Sequence, residues 1–443
     1  MIAIALKHTF RHGVHPPESK ELTSSLPIRR MPFPAEVVLP LRQHAGKPAR
    51  VVVRKGQRVE RGDVVAESDG FISVPIHASA AGVVKSIGLE PHPDGGMCEA
   101  VRIAVDPYSA QIAHTRMVPN WEDLSRDDVV KAVQQAGVVG LGGAAFPAHV
   151  KLVPPKDHPI ELLIVNAAEC EPYLTSDHRV MVEYADRVLK GTRIMMHALG
   201  VKRAVIGIEK NKPDAIATLT RALPLDIDIT VLPLTVKYPQ GAEKMLIKAL
   251  TGKEVPSGKL PATVGAVVQN VGTIACLAEV FETGLPLVER IVTVTGPGIR
   301  KPANLIIPVG TPLREVLDFC GGLTKDAAEI LFGGPMMGIP QPDLDVPVVK
   351  GTSGIVVLTT SQVARRRTLP CIQCGRCLDA CPMFLNPSQL GRLAQAARYE
   401  DMQAEHLADC MLCGSCSFVC PSSIPLSQMF ALSKAALRRQ VTK

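Results

Sequence analysis

Two short runs constrain this chain more than any other feature. Cys371 to Pro382 reads CIQCGRCLDACP, and Cys410 to Pro421 reads CMLCGSCSFVCP. Both follow C-x2-C-x2-C-x3-C-P. A cubane [4Fe-4S] cluster needs four thiolates converging on four iron corners. Three closely spaced cysteines wrap one face of the cube, the fourth comes from elsewhere, and the proline turns the chain away. The small residues Gly375, Gly414 and Ser415 let the backbone bend close to such a cube.

This is the spacing of two-cluster ferredoxins, in which the fourth cysteine of each run ligates the other cluster. The expected sets are therefore Cys371, Cys374 and Cys377 with Cys420, and Cys410, Cys413 and Cys416 with Cys381. Zinc is the other reading of C-x2-C pairs. It uses four cysteines per site, usually as two separated pairs, and no following proline. Two complete runs favour clusters. The opening MIAIALKHTFRHG puts a short apolar start before its charges, the wrong order for a secretory signal. A reducing compartment and no disulfides are expected. Cys98, Cys170, Cys276 and Cys320 are scattered and read as small buried apolar residues.

A length of 443 residues gives a prior of about three domains. Apolar residues make up 46% and aromatics only 4%, so several aliphatic cores can form. No apolar run approaches the ~18 to 20 residues of a membrane span, so a soluble or peripheral protein with no transmembrane segment of its own is expected. The net charge of +7 is modest. No basic stripe with aromatics suggests nucleic-acid binding. Arg365-Arg366-Arg367, before the first cysteine run, reads as a solvated linker or as a docking patch for an acidic electron carrier or a lipid surface.

Residues 36 to 105 hold short β-rich runs broken by glycines, such as VVVRKGQRVERGDVVAES. They predict a small sandwich or barrel. From about residue 120, helical and strand patterns alternate: LSRDDVVKAVQQAG, IELLIVNAAE, RVLKGTRIMMHALG, RAVIGIE, KPDAIATLTRAL and ITVLPL. Such alternation predicts a mostly parallel sheet, which binds ligands beyond the carboxyl ends of its strands. Residues 288 to 360 are β-rich again. From about 365 the chain is helical around the cysteines, with NPSQLGRLAQAARYEDMQAEHLADC joining the two runs as helix.

Three stretches of the α/β region carry candidate site residues. GLGGAAFPAHVK brings Gly140, Gly142 and Gly143, whose backbone N–H groups can approach a phosphate, with Phe146 as a flat face and Lys151 as a cation. NAAECEP, at a strand end, brings Asn166, Glu169 and Glu171. YPQGAEKMLIKALTG brings Tyr238, Gly241 and Glu243 at a strand-to-helix turn, followed by VQNVGTI with Asn270. Each stretch alone is also consistent with an ordinary turn.

In this order and spacing, the three stretches resemble the flavin-binding 51-kDa subunit of respiratory complex I. Joined to a two-cluster domain, they resemble the C-subunit family of the bacterial Rnf complex. Residues 36 to 105 resemble the biotinyl/lipoyl-like fold, but Ser68-Asp69-Gly70 occupies the hairpin tip where carriers have a lysine, which implies a structural hybrid domain. The resemblance implies a multidomain α/β and β protein. Its parts are an N-terminal barrel-sandwich hybrid domain (1–115), a Rossmann-like FMN/NADH-binding α/β domain (116–285), a β-grasp (SLBB) domain (286–362) and an α-helical two-[4Fe-4S] domain (363–443). By resemblance, Gly140, Gly142, Gly143, Lys151, Asn166 and Asn270 line FMN and its phosphate. Phe146 stacks on the nicotinamide, Glu171 and Glu243 face NADH, and Tyr238, Gly241 and Glu169 lie near the flavin. The complex I pattern has an arginine where Leu141 stands and acids where Ala168 and Ala242 stand. The implied activity is that of an NADH-dependent oxidoreductase subunit of an ion-translocating complex, on the cytoplasmic side of the bacterial inner membrane. It passes electrons between NADH, FMN, two clusters and membrane-embedded or ferredoxin-like partner subunits. The alternative is an iron-sulfur adaptor without nucleotide binding.

Overall fold

The structure is a computed structural model, described for residues 8–113, 115, 120–155, 157–363 and 367–441. Arg365 and Arg366 of the basic run lie outside these residues.

Residues 36–105 form the expected β unit. A four-stranded sheet contains Glu36–Pro40 and the hairpin Gly82–Pro91/Met97–Val105, and a three-stranded sheet contains Val64–Glu67. Val37, Leu39, Val65, Ile76, Val101 and Ile103 fill the space between them and are fully buried. Alternation along the strands puts these residues inside and charged ones outside. The segment before the barrel packs elsewhere: Ile28–Arg30 adds a parallel edge strand to the sheet of the β-grasp unit.

The α/β unit is built on four parallel strands. Leu162–Ala167 is flanked by Arg203–Glu209 and Ala266–Asn270, with Asp228–Leu234 outermost. LLIVNA is apolar on both faces because both are covered. Leu163, Val165 and Ala167 enter one core with the helix Ala185–Leu199, while Ile164 enters a second core with Leu246 and Val268. Truncating Leu163 or Ile164 to alanine costs about 2 to 5 kcal/mol. The helix Val271–Thr283 crosses Ala185–Leu199 closely at Gly191, where any Cβ would collide with the Ile274 carbonyl. That crossing fixes the start of the Val271 helix beside the strand ends.

The six-stranded β-grasp sheet includes Glu289–Thr295, Ala303–Pro308, Ala327–Phe332 and Gly354–Thr359. Lys350 is fully buried, and its Nζ donates to Pro75 O of the barrel at 2.9 Å and to Gly137 O of the α/β unit at 2.7 Å. In the cysteine domain, the expected continuous helix between the two runs is two helices, Pro387–Gln395 and Tyr399–Ala404. Ala397 breaks them with φ of +53°. Leu390, Leu393 and Met402 turn inward to pack against Phe430 of the terminal helix Leu426–Val441.

Candidate functional site

The cysteines gather in two groups of four. Cys371, Cys374, Cys377 and Cys420 line a cavity of about 610 Å³ that opens to the surface. Cys381, Cys410, Cys413 and Cys416 line a narrower pocket closed by Leu390, Met411 and Phe430. Each group takes three cysteines from one run and the fourth from the other. Cys371 and Cys374 are exposed, whereas Cys381, Cys413 and Cys416 are buried. Burial pushes the Cys381, Cys410 and Cys416 thiols up, so metal binding there must displace protons. Four sulfurs around one cavity, twice over, is a donor set suited to two [4Fe-4S] clusters.

The inner group abuts the α/β unit. Tyr238, 1% exposed, sends its hydroxyl to Cys413 O at 2.7 Å, with Glu171 Oε1 at 3.2 Å from the same oxygen. Glu171 Oε2 accepts from Met336 N of the β-grasp unit, and its side chain packs on Gly334. Desolvation pushes the Glu171 carboxyl up to about 7. Gly414 lies against the Met336 carbonyl, and Gly13 N donates to Ala380 O. Val14, Tyr238, Ala380 and Cys413 form one small buried cluster, with Cys170 and Met336 beside it.

The remaining candidates stand at the carboxyl ends of the strands. Asn166 Nδ2 donates to Gly241 O at 2.7 Å. Asn270 ends its strand and caps the Val271 helix, accepting from Thr273 N, and its Nδ2 donates to Asp177 Oδ2 at 2.6 Å. The Gly-rich loop lies alongside. Gly142 and Gly143 are exposed, Gly143 has φ of +106°, and a Cβ on Gly142 would sit 3.3 Å from Asn270 Nδ2. Leu141 N donates to Thr273 Oγ1. Gly140 N already donates to Phe146 O, so the loop offers the exposed backbone of Gly142 and Gly143, beside a helix N-terminus, to a phosphate. Burial leaves the Arg290 Nε and both amide atoms of Gln240 without partners. These donors, with the Gln240 oxygen as an acceptor, fit FMN.

Three expected residues, Lys151, Glu243 and Glu169, are occupied locally. Lys151 pairs with Glu243 at 2.6 Å and also donates to Val268 O. Glu169, at φ of +48°, accepts from Asp177 N and His178 N, capping the helix Ser176–Glu183. Phe146 is half-buried in the Gly-rich loop.

Sequence reasoning missed the groups that hold this arrangement. Lys20, nearly buried, donates to the carbonyls of Glu169, Glu171 and Leu174. Lys212 donates to Ala168 O at 2.7 Å and pairs with Glu209. Together they pull the NAAECEP loop into shape. Desolvation lowers Lys20 and raises Glu209. No motif marks Lys20, because its partners are backbone carbonyls some 150 positions away.

Among known proteins, residues 8–107 match the RnfC barrel sandwich hybrid domain, 133–279 the Nuo51 FMN-binding domain, 291–340 the SLBB domain and 370–425 the 4Fe-4S dicluster domain. The C subunit of the proton-translocating ferredoxin:NAD(+) oxidoreductase complex of Clostridium ljungdahlii is 47% identical over 398 residues, 90% of this chain and 87% of that protein. The Na(+)-translocating counterpart of Acetobacterium woodii is 42% identical, over 91% of each chain. The C subunit of the ion-translocating oxidoreductase complex of Rhodobacter capsulatus is 42% identical over 88% of this chain and 76% of its own. The fold is shared with a chain of a NAD+-reducing [NiFe]-hydrogenase, at a TM-score of 0.52 and 21% identity, over 71% of this chain and 64% of that one. With four matching domains along the chain and relatives 42–47% identical over about nine-tenths of it, the chain belongs to the C-subunit family of ion-translocating ferredoxin:NAD(+) oxidoreductase complexes.

Proposed function

We propose that this chain is the electron-transfer subunit through which such a complex exchanges electrons with NAD(H). The observation that carries this reading is the seam where Tyr238, from the flavin-type unit, meets the carbonyl of Cys413. When bound, FMN would exchange the two electrons of one hydride for two one-electron steps, and the two [4Fe-4S] clusters would carry those electrons to or from partner subunits. The chain's own residues provide the setting. Gly140, Gly142, Gly143, Asn166, Gly241 and Asn270 would hold the flavin at the strand ends, with Lys151 beside them. Phe146 and Glu243, on the more open side, would receive the nicotinamide. Glu169 would act through the helix it caps. Glu171 and Tyr238 close the seam to the inner cysteines and keep water from it. The exposed Cys371–Cys374 rim, with Leu369 and Ile372 also exposed beside it, would face another protein of the complex.

Among the described residues no helix is long and apolar enough to cross a membrane. Peripheral attachment on the cytoplasmic side of the membrane, where NADH is found, agrees with this reading. The test is an anaerobic preparation assayed for iron, acid-labile sulfide and FMN, then for NADH oxidation with a one-electron acceptor. Two clusters and one flavin per chain, with turnover, are expected. A preparation that has both clusters, fails to bind added FMN and does not turn over would support the adaptor reading instead.

A further inference from the structure

Arg290 lies outside the stretch that matches the FMN-binding domain, on the strand Glu289–Thr295 of the β-grasp unit. It shares a strand face with Val292 and Val294 and points inward, 6% exposed. Its Nη2 donates to Leu141 O at 3.1 Å, inside the Gly140–Gly143 loop. Its Nε is buried without a partner, and it forms no ion pair with a described carboxylate. Asp177 is the acid whose charge it feels most, and that carboxylate is already bound by Asn270. A buried cation left this incomplete is costly unless something else answers it.

The surroundings say what that is. Leu141, whose carbonyl takes the guanidinium, donates its N–H to Thr273 in the first turn of the Val271 helix. Gly142 touches Asn270, the cap of that helix. The guanidinium, the exposed backbone of Gly142 and Gly143 and the positive end of a 13-residue helix thus converge on one place. Such a place favours a compact dianion over an uncharged ring.

We infer that Arg290 is a positioning residue for the phosphate end of the flavin, a cation that the β-grasp unit supplies to the Gly-rich loop. The inference rests on the reading that this chain binds FMN. It acts through the Leu141 carbonyl and through charge. It should therefore discriminate FMN from riboflavin, which has the same ring and no phosphate.

The test is titration of the full chain, stripped of flavin under anaerobic conditions, with FMN and with riboflavin, followed by flavin fluorescence. In R290Q the Kd for FMN should rise by about 10-fold, equivalent to about 1.4 kcal/mol, while that for riboflavin stays in place. R290K, which keeps the charge, should retain most of the preference for FMN. Equal losses for both flavins in R290Q would reduce Arg290 to a structural role, and unchanged FMN affinity would also overturn the inference. Should R290Q not fold, D177N takes over: removing the acid that competes for the cation should increase the preference for FMN, and an unchanged preference overturns the inference. A wild-type chain that binds neither flavin overturns the FMN reading itself.

Discussion

The two cysteine groups share one motif and live in opposite surroundings. The outer group has Cys371 and Cys374 in the open, with Ile372 68% exposed between them. The inner group is roofed by residues the motif does not contain: Val14 from the N-terminal segment, Tyr238 from the α/β unit and Met336 from the β-grasp unit. A repeated ligand pattern dictates how sulfurs meet iron. What dictates the potential of each site is solvent exposure and the hydrogen bonds around the sulfurs, and here other domains supply those. The difference teaches that two sites with the same ligand set become distinct through their tertiary neighbours.

The sharpest way to break this comparison is to remove a shared ligand. Cys420→Ser should abolish the outer cluster, removing roughly half the iron, and leave the inner one intact, because each run lends its fourth cysteine to the other site. Paramagnetic resonance of the reduced protein reads this directly. Loss of the inner signal instead would mean that each run closes its own cluster.

A smaller effect belongs to Glu171. Its carboxyl is held up near 7 by desolvation, against 4.5 when unfolded. The folded state therefore keeps the proton longer, and stability falls as pH rises from about 4.5 to 7. Glu171→Gln escapes this. Its stability relative to the parent should grow across that window and level off about 3 kcal/mol higher above pH 7. Anaerobic thermal unfolding against pH checks it, and a difference independent of pH would place the carboxyl in a wetter seam.

Tyr238→Phe removes one neutral hydrogen bond to the Cys413 carbonyl, worth about 1 kcal/mol in full. The potential of the inner cluster should therefore move by at most about 40 mV, while the outer one stays put and flavin content is unchanged. A shift at both sites would show that the seam does not insulate them. Smallest of all, Ile372→Ser on the outer rim should alter stability by less than about 0.5 kcal/mol. A loss well beyond that would mean the rim is packed rather than open.

How legible the molecule is depends on how local each cause is. RAVIGIE is readable because Arg203–Glu209 is a buried parallel strand whose apolar run is its whole signal. The helix Ser176–Glu183 escapes such a reading. Thr175 makes no side-chain cap, and the capping carboxylate, Glu169, lies upstream across a proline. The linker between the cysteine runs has helical composition throughout, and its break at Ala397 serves packing against Phe430, which no local pattern announces. Arg290 belongs to no motif, and only the period of two places it on the inner face with Val292. Lys20 and Lys212 bind carbonyls, and carbonyls have no letter in a sequence.

Lys350 has a consequence for anyone who would take this chain apart. One amine from the β-grasp unit answers a carbonyl of the barrel and another of the α/β unit. Cutting at either boundary would orphan a buried acceptor on one fragment and bury a half-satisfied ammonium in the other. The pieces match separate families and look interchangeable on paper. In this chain they share a keystone, so transplanting one of them means carrying its neighbours along.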